Sequence, residues 1–238
     1  MKTAICFTGT GRSLKYTSDN IKSFLLEASP DCDVFAHIAE TEYVKNIEKY
    51  FTFDNIKELV IEKDKKLDIS GLRWQDNWPM GIYSGANPKQ TYLNMLLSRK
   101  KCGQMLHKYS EATGTEYDKV IFSRLDIEYF HALPIDMDLD SICVPDFHHF
   151  SSVQGAGCND RFAASSFKNM KMYFELYDDI RGIVRMGHKL HGESTLHTHL
   201  KLRGLKIKKY PIRFTRIRHD GKRQDERLRD TVLAINDY

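Results

Sequence analysis

The chain has 238 residues, enough for one large α/β domain with a sizeable core, and nothing in that length obliges a second domain. At 41% hydrophobic and 29% charged it is excluded from wholesale disorder, and no uninterrupted apolar run approaches the length of a membrane span. The formal charge of +4 is unevenly placed: residues 201–229 carry twelve Lys or Arg against three acids, a local +9 that leaves −5 for the remainder. Such a segment suits an anionic partner (diphosphate, anionic lipid or nucleic acid), and it equally suits a solvated helix face with a charged tail.

Residues 1–7 are apolar but too short for a signal-peptide core and run straight into a glycine-rich turn, so they read as a first strand. The turn Thr8, Gly9, Thr10, Gly11, Arg12 lets backbone amides and a guanidinium approach a phosphate. It lacks the third glycine of a dinucleotide fingerprint and the Gly-Lys-Ser/Thr of a P-loop, so neither of those folds is supported. A helix is expected from Ser18, its capping residue, to Glu27, with Pro30 beyond it, and residues 31–38 form a second strand headed by Asp33. His37 at its far end reads as a hydrogen-bonded structural residue. An amphipathic helix follows from Glu42, then a peripheral strand over 58–62 and a solvated turn over 63–66. Residues 73–90 hold both tryptophans, Trp74 and Trp78, among Pro79, Gly81, Gly85 and Pro88, and read as a mobile lid or binding loop, or as a satellite hydrophobic cluster.

Residues 88–109 place Tyr92, Met95, Leu96, Arg99, Cys102, Met105, Leu106 and Tyr109 at three- and four-residue steps, which predicts a helix leading into the next strand. That strand is Val120, Ile121 and Phe122, a β-branched and aromatic run suited to the middle of a sheet. Just past it stand Asp126 and Glu128, two oxygen donors one residue apart. In an extended segment they project to one side, as a hydrated divalent cation on phosphate oxygens requires, although acids so spaced also occur on solvated strand edges. Leu133 and Pro134 break the strand and residues 141–145 form another. In the turn that follows, Gly155 and Gly157 allow close backbone approach, and Asp160 offers a carboxylate to sugar hydroxyls or, alternatively, an N-cap to a helix over 165–176. Glu193 opens a helix closed by Arg203 and Gly204, where an acid also suits the helix dipole. A strand begins at Leu205, and the stretch from Tyr210 ends in His219. Five scattered cysteines without Cys-x-x-Cys spacing, and His191, His197 and His199 without complementary ligands, point to reduced thiols in a cytosolic protein and against zinc.

The run Tyr117, Asp118, Val120, Ile121, Arg124, Asp126 resembles the central strand and Asp-x-Asp variant of GT-A-type glycosyltransferases. The opening Cys6, Phe7, Thr8, Gly9, Arg12, Ser13 and Asp33, Val34, Phe35, His37 resemble the amino-terminal half of bacterial and viral polysaccharide-type members. The resemblance covers nearly the whole chain in short motifs that come in the family's order. It implies a single Rossmann-like domain: a mostly parallel sheet flanked by helices, a nucleotide-binding half over 1–130, an acceptor half over 131–223 and a charged tail over 224–238. It further implies Mn²⁺ or Mg²⁺ on Asp126, Glu128 and His219. The donor diphosphate and nucleotide would meet Thr8, Gly9, Arg12, Asp33, Gln90, Arg124, Arg216 and Arg218. Gly192 and Glu193 resemble the Gly-Glu-Asp helix of inverting members, making Glu193 or Asp160 the general base, but Ser194 replaces the second acid. The expected partners are a nucleotide-sugar donor and a glycan or glycolipid acceptor, with possible peripheral contact to an anionic membrane from the cytoplasm. A nucleotide-sugar-binding protein without turnover is the alternative. Nucleic acid is not expected, because the basic segment lacks interleaved aromatics.

Overall fold

The computed structural model describes residues 1–53, 55–75, 87–134, 136–149 and 156–224. Trp78, Pro79, Gly81, Gly85, the start of the glycine turn at 152–155 and the tail beyond Gln224 lie outside these residues. Nine strands and five α-helices are described: β1 (Thr3–Gly9), α1 (Leu14–Ile21), β2 (Cys32–Ala39), β3 (Ile56–Glu62), α2 (Pro88–Thr113), β4 (Lys119–Arg124), β5 (Ile127–Tyr129), β6 (Ile142–Pro145), β7 (Phe162–Ser165), α3 (Phe167–Phe174), α4 (Leu176–Arg185), α5 (Gly192–Leu202), β8 (Ile207–Tyr210) and β9 (Phe214–Arg216).

Seven strands form one sheet in the order β3-β2-β1-β4-β7-β6-β8, with β4 in the middle and β3 at an edge. β1, β2, β3 and β4 run parallel, and β6 pairs parallel with β8, while β7 lies antiparallel to both β4 and β6. The protein is therefore α/β with a mostly parallel central sheet. Because successive side chains leave a strand on opposite faces, β1 sends Ala4 and Cys6 into a layer with α2 to α5, and Ile5 and Phe7 into a layer with α1 and the 3-10 helix Glu42–Lys49. Both faces being covered explains why β1, β2 and β4 read as nearly continuous apolar runs.

Several boundaries differ from the sequence expectation. The first helix is capped at Ser13, not Ser18, which lies buried inside it, and the helix passes into a π-helical turn over Lys22–Leu26. The expected amphipathic helix from Glu42 is a 3-10 helix of eight residues. The helix expected over 165–176 begins at Phe167 and ends at Phe174, Ser165 belonging instead to β7, and α3 is preceded by Ser166, so Asp160 is not a helix N-cap. The strand expected from Tyr210 toward His219 is reduced to Phe214–Arg216, Tyr210 ending β8 instead, and this β9 pairs with β5 in a separate two-stranded ribbon. The α2 helix is as expected and longer: Asn87 accepts a bond from the Lys89 amide at 3.0 Å, Pro88 occupies the first turn, and Gly114 closes it at φ 69°.

Candidate functional site

The parallel strands β1, β2 and β4 deliver their carboxyl ends to one side of the sheet, where open α/β folds place ligands. The turn after β1 can form there because Gly11 has φ 66°, a left-handed conformation, and a Cβ on it would stand 3.1 Å from Ile47 Cδ1. Ser13 Oγ then donates to the Ile217 carbonyl at 2.5 Å, tying the start of α1 to the end of β9. After β4 the chain turns at Leu125 and Asp126 into β5, which pairs Ile127 with Arg216, and the Ile217 amide donates to the Asp126 carbonyl at 2.8 Å. These links bring Arg12, Arg124, Asp126 and Arg216 together. Arg124 grips Asp126 with a two-pronged fork, Nε to Oδ1 at 2.8 Å and Nη2 to Oδ2 at 2.7 Å. Burial alone would raise the pKa of Asp126, which is 8% exposed, but the guanidiniums of Arg124, Arg216 and Arg12 outweigh it and hold the carboxyl below its ordinary range.

Glu128 stands apart from Asp126 in its bonding. It lies within the ribbon strand β5 and accepts two bonds from Arg223, at 2.7 and 3.0 Å. His219 is exposed at the turn beyond β9, with its ring 6.2 Å from that of Tyr43. Both oxygens of each acid are thus engaged by guanidinium, and no group of three or more His, Cys, Asp or Glu converges among the described residues. A hard cation of the Mg²⁺ or Mn²⁺ type needs carboxylate oxygens facing it, so this donor set does not fit one as it is arranged.

A second pair of carboxylates lies alongside. The Arg124 amide donates to the Arg161 carbonyl at 3.2 Å, and the Cys158 amide to the Glu193 carbonyl at 3.1 Å, which joins the end of β4, the approach to β7 and the start of α5. Asp160 faces the first turn of α5 closely enough that a Cβ on Gly192 would lie 3.4 Å from its Oδ2. Arg161 reaches both acids, 3.6 Å from Asp160 and 3.4 Å from Glu193, and His191 Nδ1 lies 3.4 Å from the other oxygen of Glu193. Beneath them Arg99, fully buried on α2, donates from Nη2 to the Asp160 carbonyl at 2.8 Å and stacks over Phe122 and Tyr173. Against the cost of burial, Arg161, Arg99, Arg124 and Arg216 keep the Asp160 carboxyl low, whereas burial and then the charge of Asp160 push Glu193 up. Two neighbouring acids are thus pushed in opposite directions in proton affinity.

Other expected contacts fall elsewhere. Thr8 and Gly9 end β1 beside this cluster, the Thr8 carbonyl accepting from the Leu125 amide at 3.3 Å. Arg218 lies in the turn after β9, its amide bonded to the Lys222 carbonyl. Asp33 sits near the amino end of β2, about 16 Å of strand from Ile38, where it receives Lys2 and the Tyr117 hydroxyl. Gln90 clasps the backbone of Leu67 through both ends of its amide. That clasp borders an open cleft of about 660 Å³ between residues 64–70 and the start of α2, and Asp126, Asp160 and Glu193 do not line it. His37 is structural, as expected, bonded to Ser98 at 2.8 Å. The sequence reading missed Arg99, Arg161 and His191 as members of the cluster. Arg99 did carry a signal, a lone charge within the apolar stripe of α2.

No helix among the described residues is long and apolar enough to cross a membrane, and all five cysteines are buried free thiols. No curated protein matches the chain. The family model described as a domain of unknown function, DUF7796, matches residues 1–223, and the chain belongs to that family.

Proposed function

We propose that the protein is a GT-A-type glycosyltransferase that moves a sugar from a nucleoside-diphosphate sugar to a hydroxyl of a glycan or glycolipid. The observation that carries the reading is the juxtaposition, at the carboxyl ends of parallel strands, of the Arg12, Arg124 and Arg216 cluster with the unequal acids Asp160 and Glu193. Guanidiniums suit a diphosphate, and an acid whose proton affinity is raised suits general-base work.

In the step we propose, Glu193 takes the acceptor's hydroxyl proton as that oxygen forms its bond to the anomeric carbon. The bond from the anomeric carbon to the diphosphate breaks on the opposite side, and its electron pair leaves on the terminal phosphate oxygen. The arginines stabilise that charge as it develops. Asp160, kept ionised, orients sugar hydroxyls and raises the basicity of Glu193. The local +9 of residues 201–229 suits a peripheral approach to an anionic membrane bearing the acceptor.

Incubation with a panel of nucleotide sugars, with released nucleoside diphosphate and transferred sugar followed by mass spectrometry, tests the reading. Turnover that Glu193→Gln removes supports it. Binding of a nucleotide sugar with no turnover toward any acceptor or water favours a binding protein instead. Ser194, buried where a second acid would be expected, gives that second reading its footing.

A further inference from the structure

We infer that Arg99 is retained in the core for the site and not for the fold: it is a positioning residue that fixes Asp160 and supplies it with a buried counter-charge. The inference deepens the reading above, on which it rests only for what the two acids act upon.

Arg99 comes from α2 and is 1% exposed. Phe122 of β4 and Tyr173 of α3 box its guanidinium, their ring centroids 4.6 and 5.1 Å from Cζ. Its one hydrogen bond among the described residues runs from Nη2 to the Asp160 carbonyl at 2.8 Å, and Nε and Nη1, both buried, have no hydrogen-bond partner there. A slot between two aromatic rings suits methionine or leucine, so a cation in it, short of two bonds, is costly to the fold. Cation–π contact offsets part of that cost, and a neighbouring anion must offset more. The bond leads to one, since Asp160 is itself 8% exposed. Burial alone would raise that carboxyl, and Arg161 and then Arg99 lead the guanidiniums that bring it down, ahead of Arg124 and Arg216. Besides Glu193, the titratable groups that sense the Asp160 charge are His191, Cys158, Tyr92 and Tyr173. Arg161 is shared, at 3.6 Å from Asp160 and 3.4 Å from Glu193. Arg99, clamped between two rings, cannot follow either acid. Its bond to the main chain ties Asp160 to α2 while the side chain stands against α5, 3.4 Å from where a Cβ on Gly192 would lie.

Carboxyl carbon NMR of the full chain without substrate, titrated with acid and with Asp160→Asn to assign the signal, tests this. In Arg99→Met, Asp160 should bind its proton about threefold or more tightly than in the wild type. Arg99→Lys, which keeps a charge, should lie between the two. The urea midpoint of Arg99→Met should equal or exceed the wild-type value, because an apolar side chain fills the slot with no charge to bury. Arg99→Gln, smaller and still able to donate to the carbonyl, is the second uncharged variant and should show the same shift. An unchanged proton affinity of Asp160 in both uncharged variants overturns the inference. So does a midpoint well below wild type in both, or failure of both to fold, since the arginine would then serve the fold. A shifted titration with no transfer from any nucleotide sugar removes the transferase reading and keeps the positioning role. Transfer with an unshifted titration does the reverse.

Discussion

Glu193 and Asp160 lie a few ångströms from the same guanidinium and yet differ in the direction their proton affinities move. If Glu193 is the base, transfer must fall on the acid side as it takes up a proton, with a midpoint above an ordinary glutamate's. Asp160→Asn removes a like charge and should slide that limb to lower pH. Glu193→Gln should cost about 10²–10⁴ in kcat while leaving diphosphate affinity within a few-fold, so rates and binding measured together separate the roles. His37 makes a different prediction. Burial, and then Lys101, depress its pKa from the ordinary 6.5 to about 4, so the folded state favours the neutral ring. Stability from this residue is full above pH 6.5 and is lost as pH falls toward 4, because the unfolded chain takes up the proton first. The unfolding temperature should fall through that window, and less steeply in His37→Gln. Asp126 and Glu128 were legible as an acidic pair from local spacing. Which cation holds each was not: the partner of Glu128 is Arg223, 95 positions away, and only the fold joins them.

At the level of elements, α2 is the best test of packing, because one of its faces meets α3 with no space to spare. A Cβ on Gly103 would stand 2.5 Å from Phe174 Cγ, whereas Gly182 of α4 has nothing within 4 Å of the same position. Ala at either site gains about 1 kcal/mol in helix propensity, but overpacking costs about 1–3 kcal/mol. Gly182→Ala should therefore raise the urea midpoint and Gly103→Ala lower it, and equal shifts would contradict the close approach. The apolar spacing of α2 and the β-branched run of β4 were readable because long elements repeat their pattern. β7 was not, since Phe162, Ala163, Ala164 and Ser165 are all buried and show no alternation that would mark a strand. The ribbon of β5 and β9 was missed for a related reason: three-residue strands carry no period of their own.

Across the whole molecule, one sheet collects β1 to β4 from residues 3–124 and β6 to β8 from residues 142–210, and the strap at 64–75 crosses to α2 through Gln90, Asn94 and Trp74. Unfolding in urea followed by far-UV circular dichroism and by tryptophan fluorescence should give coincident transitions, since Trp74 packs on Tyr92 against the sheet-facing helix. An earlier fluorescence transition would mean that the strap detaches as its own unit. The sheet class could be read from the alternation of strands and helices, whereas the antiparallel insertion of β7 between β4 and β6 could not, because strand order depends on long-range pairing. The hydrogen bonds from Ser13 to Ile217, Thr17 to Leu125 and Asn20 to Tyr129 make α1 a shared backing for the turn after β4, for β5 and for the end of β9. A displacement of α1 is therefore transmitted to both strands of the ribbon at once, although neither strand belongs to a ladder of the seven-stranded sheet.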